Sequence, residues 1–145
     1  MDRSLKASKS IKIKASAEAI WEALTDPNKI KIYLFGTETI TDWKVGSPIL
    51  FQGEYQGHHY NDKGNVLENN RPNVLKYNYW SGFSGLDDKP VNYSLVTYKI
   101  DVLDDNECNF TWLQEGFANE EGKCHTEEGL ASMLQQIKQL VEEGK

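Results

Sequence analysis

The chain has 145 residues, 39% of them hydrophobic, with 22 acidic against 16 basic side chains and a net charge of -6; a single domain of that size buries roughly 68–70% of its unfolded surface without staples. The acidic balance disfavours nucleic acid and anionic membrane surfaces, which select faces rich in lysine and arginine, and leaves small neutral or cationic partners open. Its two cysteines, Cys108 and Cys124, are too few for a disulfide framework, and with neither an apolar leader nor a membrane-length run the expectation is a soluble cytoplasmic protein with reduced thiols and no membrane insertion.

Leu5 to Lys14 alternates, with Leu5, Ala7, Ile11 and Ile13 on one face and Lys6, Lys12 and Lys14 on the other, the period of a strand with one wet side. Ser16 is placed to cap a helix over Ala17 to Thr25, whose Ile20, Trp21 and Leu24 share a face and whose Glu18 complements the helix N-terminus. Asp26-Pro27 reads as an N-cap followed by proline in the first turn, which ends that helix and starts a second toward Tyr33. Thr37 to Thr41 predicts a second strand. Val45-Gly46-Ser47-Pro48 punctuates the chain before alternation resumes over Ile49 to Tyr55, and Gln56-Gly57 is a hairpin turn.

His58 to Glu68 continues as a strand whose pattern is blurred, so that its inner face is undefined. A turn over Asn69 to Asn73 passes through Pro72, and Val74 to Trp80 then sets Leu75, Tyr77 and Tyr79 on one face. Ser81 to Lys89, with Gly82 and Gly85, reads as a long loop. Val91 to Leu103 predicts a strand with Val96, Tyr98, Ile100 and Val102 on one face, Asp104-Asp105-Asn106 a turn, and Cys108 to Gly116 a strand that alternates Phe110, Trp112 and Gln114 against Asn109, Thr111 and Glu115. Phe117 to Cys124 is expected to loop into a last helix from Thr126 to Gly144. There Thr126 is the expected N-cap, Gly144 the C′ residue, and Leu130, Met133, Leu134, Ile137, Leu140 and Val141 the apolar stripe. Burying six such side chains stabilises by ~9–18 kcal/mol gross, at ~1.5–3 each. That stripe needs a surface, and the aromatic strands between Pro48 and Phe117 supply one. The expected class is α+β: a curved antiparallel sheet of six or seven strands wrapped around a long C-terminal helix, with two short helices after strand one, as a single domain over residues 1–145.

This order of elements resembles the helix-grip fold of the START and birch-pollen-allergen superfamily. Ala15-Ser16-Ala17-Glu18-Ala19-Ile20-Trp21-Glu22-Ala23-Leu24-Thr25-Asp26-Pro27 resembles the opening signature of the family named for the ATPase activator of heat-shock protein ninety. Asp42-Trp43-Lys44-Val45-Gly46-Ser47, Asp62-Lys63-Gly64-Asn65-Val66-Leu67-Glu68 and Leu75-Lys76-Tyr77 are similar to it as well. The superfamily includes lipid carriers, hormone receptors, aromatic cyclases and chaperone regulators, so the resemblance implies a fold and a choice among functions. The chaperone activator proper carries a further chaperone-binding domain that 145 residues cannot hold, so heat-shock activation is not carried over. Many relatives have Trp after the Gly near the start of the last helix. Here Gly129 is followed by Leu130, a change expected to reshape a pocket mouth.

The expected ligand-binding residues are Phe51, Tyr55, Tyr77, Tyr79, Tyr98, Trp112 and Gln114 from the strands, with Met133 and Ile137 from the helix; ordinary core packing is the competing reading. A dry void of ~300 Å³ would cost several kcal/mol at ~24 cal/mol per Å³, and clustered phenols favour a partly wet space because buried hydroxyls seek partners. His58 and His59 point to opposite faces of a strand and do not share a metal. Cys124-His125 with Cys108 lacks the further pair that would complete a tetrahedral set, and neighbouring Cys and His rarely form a nucleophile–base pair. The acidic pairs Asp87-Asp88, Asp104-Asp105, Glu120-Glu121 and Glu127-Glu128 fall in predicted turns or helix ends, and Gly82-Phe83-Ser84-Gly85 lacks the context of a phosphate loop. No catalytic residue, metal or cofactor is expected. The first reading is a protein that binds an apolar or aromatic small molecule between sheet and helix, as a monomer or weak dimer. The alternatives are a chaperone-related or stress-response interaction module with a protein partner, and a cyclase- or hydrolase-like enzyme, whose mark would be a buried ionisable residue inside the cavity.

Overall fold

Seven strands alternate inward and outward residues and pair into one antiparallel sheet in the computed structural model, which describes residues 1–143 apart from the Tyr55 side chain. They are β1 (Asp2–Ile13), β2 (Glu38–Ile40), β3 (Pro48–Tyr55), β4 (His58–Asn70), β5 (Val74–Tyr79), β6 (Ser94–Asp104) and β7 (Glu107–Phe117). The order across the sheet is β1-β7-β6-β5-β4-β3-β2. Hairpins set most of it, and the N-terminal strand returns to pair with the last one through Ala7 opposite Gln114 and Ile13 opposite Cys108. Gln56 (φ 49°) and Gly57 (φ 81°) both occupy the left-handed region, the backbone of a two-residue turn whose twist matches its strands.

Between β1 and β2 lie α1 (Ala17–Thr25) and α2 (Pro27–Tyr33). Ser16 Oγ accepts the Ala19 N–H at 3.2 Å, and Asp26 Oδ1 accepts the Asn28 N–H at 2.9 Å with Pro27 in the first turn. These caps place one helix end against the next start, so the pair bends. Tyr33 is buried and donates to the Ala23 carbonyl at 3.0 Å, tying α2 back to α1.

The closing helix α3 (Glu120–Glu143) packs on β1 and against β7, α1 and α2. Leu130, Leu134, Ile137 and Val141 are buried, while Met133 and Leu140 pack at the edge of the core. Its C-terminal turns are clasped to β1: Lys138 Nζ donates to the Lys12 carbonyl at 2.9 Å and to Glu142 at 2.5 Å, and Glu142 accepts the Lys14 N–H at 2.8 Å.

Three expectations need correction. α3 begins six residues before Thr126, because Asn119 Oδ1 accepts the Gly122 N–H at 2.8 Å and caps it there, and Glu120 and Glu121 fill the first turn. The expected strand from Val91 starts at Ser94 instead, since Pro90–Asn92 forms a 3-10 turn that proline's fixed φ suits. Val102 is 59% exposed, because Asp101 to Asp104 are all exposed and the β6–β7 hairpin overhangs the core. Gly144, the expected C′ residue, lies outside the described residues. Among the described residues, no helix is long and apolar enough to cross a membrane.

Candidate functional site

Strand register assembles the inner face. Phe51 of β3 faces Asp62 of β4 across the ladder, Tyr77 of β5 faces Val96 of β6, and Val96 and Tyr98 in turn face Gln114 and Trp112 of β7. On β4 the same period sends Tyr60, Asp62, Gly64 and Val66 inward. Tyr60 lies across Gly53, where an added Cβ would sit 2.3 Å from its hydroxyl oxygen, so only glycine leaves room for that ring. The Thr37 hydroxyl donates to the Leu34 carbonyl at 2.6 Å and so accepts from Tyr60, also at 2.6 Å, which pins the ring beside the end of α2.

A cavity of about 720 Å³ lies between this face and α3. The strands line it with Phe51, Glu54, Tyr60, Asp62, Tyr77, Tyr79, Val96, Trp112 and Gln114. The segment after α2 adds Leu34, Phe35 and Thr37, the loop after β5 adds Phe83, and α3 adds His125, Thr126 and Met133. Phe35 and Phe83, 76% and 62% exposed, and the exposed His125 place the mouth at the N-terminal end of α3.

Of the nine residues expected to bind, Phe51, Tyr77, Tyr79, Trp112, Gln114 and Met133 line this cavity. Tyr98 sits beneath it, sharing a 2.6 Å hydroxyl bond with Tyr77 and stacking edge-on 4.7 Å from Trp112. Ile137 is fully buried in the core and does not line the cavity. The Tyr55 side chain lies outside the described set. Leu130, expected at the mouth, is also fully buried in the core, because the stripe on α3 turns it toward the sheet. His58 and His59 are exposed on the β3–β4 hairpin. Cys108 is buried and Cys124 exposed, and among the described residues no three His, Cys, Asp or Glu side chains gather as a metal site.

The residue that sequence reasoning missed is Asp62. It is 5% exposed; its Oδ2 accepts the Tyr79 hydroxyl at 2.6 Å, while Oδ1 is buried with no hydrogen-bond partner. Burial raises its pKa above the ordinary carboxylate value. The Tyr79 bond opposes that rise, as do the nearby Ser81 hydroxyl and Gly82 N–H. The Tyr79 phenol is held neutral, pushed well up by burial and then by the facing carboxylate. Tyr77 and Tyr98 are raised chiefly by burial and stay neutral too. At β7 the indole Nε1–H of Trp112 is likewise buried without an acceptor. Two lining residues thus each carry one buried polar atom without a hydrogen-bond partner, and their neighbouring rings are in contact: Tyr79 with Phe51 at 5.6 Å, Phe51 with Tyr77 at 5.9 Å and Tyr77 with the underlying Tyr98 at 5.5 Å.

The family described as Activator of Hsp90 ATPase homolog 1-like protein matches residues 14–142. The solution structure of a protein from Cytophaga hutchinsonii is 35% identical, with a TM-score of 0.82 over 99% of this chain and 98% of that one. An HSP90 activator from Plasmodium falciparum shares the fold at 17% identity and a TM-score of 0.74, over 94% of this chain and 96% of that one. The Aha1 dimer from Colwellia psychrerythraea does so at 17% identity and 0.74, over 97% and 98%. No curated protein matches the chain.

Proposed function

The chain belongs to the Activator of Hsp90 ATPase homolog 1-like protein family, and on that footing we propose that it is a small-molecule binding protein whose ligand occupies the cavity between sheet and α3. The supporting observation is the cavity itself: about 720 Å³ with an aromatic wall and few polar groups, the size and make-up of a site for a drug-sized apolar ligand. Met133 closes it from the helix side and Phe35 and Phe83 flank the way in. Phe51, Tyr77, Tyr79 and Trp112 supply stacking area at low entropic cost, and Gln114, held by a 3.4 Å bond to Ser94, offers a polar contact.

The test is thermal shift against apolar and aromatic compounds, since a ligand of the folded state stabilises by RT ln(1 + [L]/Kd). Met133→Trp fills the cavity from its half-buried edge. Compounds that raise the melting temperature of the wild type and leave folded Met133→Trp unmoved support the reading, and a panel with no effect on either protein counts against it.

Asp62 favours a second reading, an enzyme of the cyclase or hydrolase kind, because a buried carboxyl with a raised pKa is suited to moving a proton. No nucleophile with a base and an orienting group accompanies it among the described residues, so binding ranks first. Turnover of a bound compound by the wild type and its loss in Asp62→Asn would reverse that order. The chaperone role of the Plasmodium HSP90 activator comes with 17% identity, a likeness that carries the fold and ranks this role below both others.

A further inference from the structure

We propose that Asp62 makes the cavity selective for cationic ligands: apolar, ring-bearing molecules that carry a protonated amine directed at its free Oδ1. This rests on the reading of the cavity as a ligand site and adds the chemistry of the ligand.

Three observations carry it. The first is that Asp62 lines the cavity while its Oδ1 is buried without a hydrogen-bond partner, so the fold has already met the desolvation cost of the acceptor, and a ligand N–H that reaches it adds a hydrogen bond absent from the ligand-free protein. The second is charge. The acidic side chains that line the cavity are Glu54 and Asp62, and no Lys or Arg is among the residues that line it. Lys63 neighbours Asp62 in sequence, but it points to the opposite face of β4, where it pairs with Asp88 and approaches the Trp80 ring. An anionic ligand such as a fatty acid would therefore meet no Lys or Arg in the lining and would enter beside two acidic side chains. The third is the wall: Tyr79 holds Oδ2 while its ring meets Phe51 edge to face, so an ammonium at Oδ1 sits beside aromatic groups that attract cations. A neutral hydroxyl can also donate to Oδ1, but without charge assistance, and charge-assisted bonds are about twice as strong.

The experiment is isothermal titration of the full chain near neutral pH with three probes of one ring system: naphthylmethylamine, naphthylmethanol and naphthoate. The amine is expected to bind at least about tenfold more tightly than the alcohol, and the carboxylate weakest. In Asp62→Asn the amine is expected to weaken about tenfold or more while the alcohol changes little. Equal binding of all three probes, or an unchanged amine in folded Asp62→Asn, overturns the charge selectivity and leaves the cavity reading standing. Absence of binding by all three overturns both. Should Asp62→Asn fail to fold, the carboxyl ¹³C resonance of Asp62 in the wild type reads the same contact. Its displacement on saturation with the amine supports the proposal, and an unmoved resonance in the amine complex refutes it.

Discussion

Replacing Asp62 by Asn should make the ligand-free protein more stable, and more so at higher pH. The wild-type carboxylate has one hydrogen bond, from Tyr79, and a second oxygen buried with none. Asn keeps an acceptor for Tyr79 and removes the charge, leaving at most an unpaired neutral amide NH2 group, which is a cheaper defect than a buried charge. A net gain of about 1–2 kcal/mol near pH 8 follows, or a rise in melting temperature of ~2–8 °C at ~2–4 °C per kcal/mol for a chain of this size. The pH dependence comes from linkage. The native Asp62 binds its proton more tightly than an unfolded Asp at 3.8, so wild-type stability falls as pH rises from about 4 through the raised native value, and levels off above it. Asp62→Asn lacks that fall. Urea unfolding of both proteins from about pH 4 to pH 8 should show curves that nearly coincide at the acid end and separate upward. An Asp62→Asn protein less stable than the wild type at about pH 8, or a gap independent of pH, would refute the reasoning.

Ile137→Ala should cost about 2–5 kcal/mol in chemical denaturation, as for other fully buried aliphatics, yet leave ligand affinity of the folded protein unchanged, because Ile137 is core and does not line the cavity. Asn119→Ala should lose about 1 kcal/mol by removing the α3 cap, whereas Thr126→Ala, inside the helix, should move stability by less than ~0.5 kcal/mol. Glu142 has a pKa lowered first by the Lys138 ammonium and then by the Lys14 N–H. Its stabilisation is present above the ordinary 4.5 and is lost as pH falls through the lower native value, so the stability gap between wild type and Glu142→Gln should close in acid. Unfolding at two pH values on either side of that range checks it.

Elements whose period is clean were readable in the chain. Ala17 to Thr25 and the start at Pro27 follow from Ser16 and Asp26, whose side chains have few other uses there, and the structure places both caps as the residues imply. The start of α3 was not readable, since Asn119 competes with Thr126 and only packing against β1 and β7 selects between them. β4 is the instructive strand. Its inward positions hold Tyr60, Asp62, Gly64 and Val66, so a carboxylate and a glycine interrupt the apolar face and erase the alternation that would have defined it. A carboxylate on a strand reads as solvated. The Phe51–Asp62 register, which turns it inward, depends on the Gln56-Gly57 turn and on Gly53 yielding space to Tyr60. Tyr98 and Ile137 show the converse limit: periodicity assigns a face, whereas depth within that face depends on how α3 crosses the sheet.

The most direct test of the cavity as a ligand site uses its own methyl reporter. The chain has two methionines, Met1 and Met133, and Met133 alone of these lines the cavity. With methyl-¹³C methionine labelling and titration with naphthylmethylamine, the account predicts that the Met133 methyl signal moves in a saturable way while Met1 stays in place. A compound that binds with Met133 unmoved would put the ligand elsewhere on the protein and contradict the account.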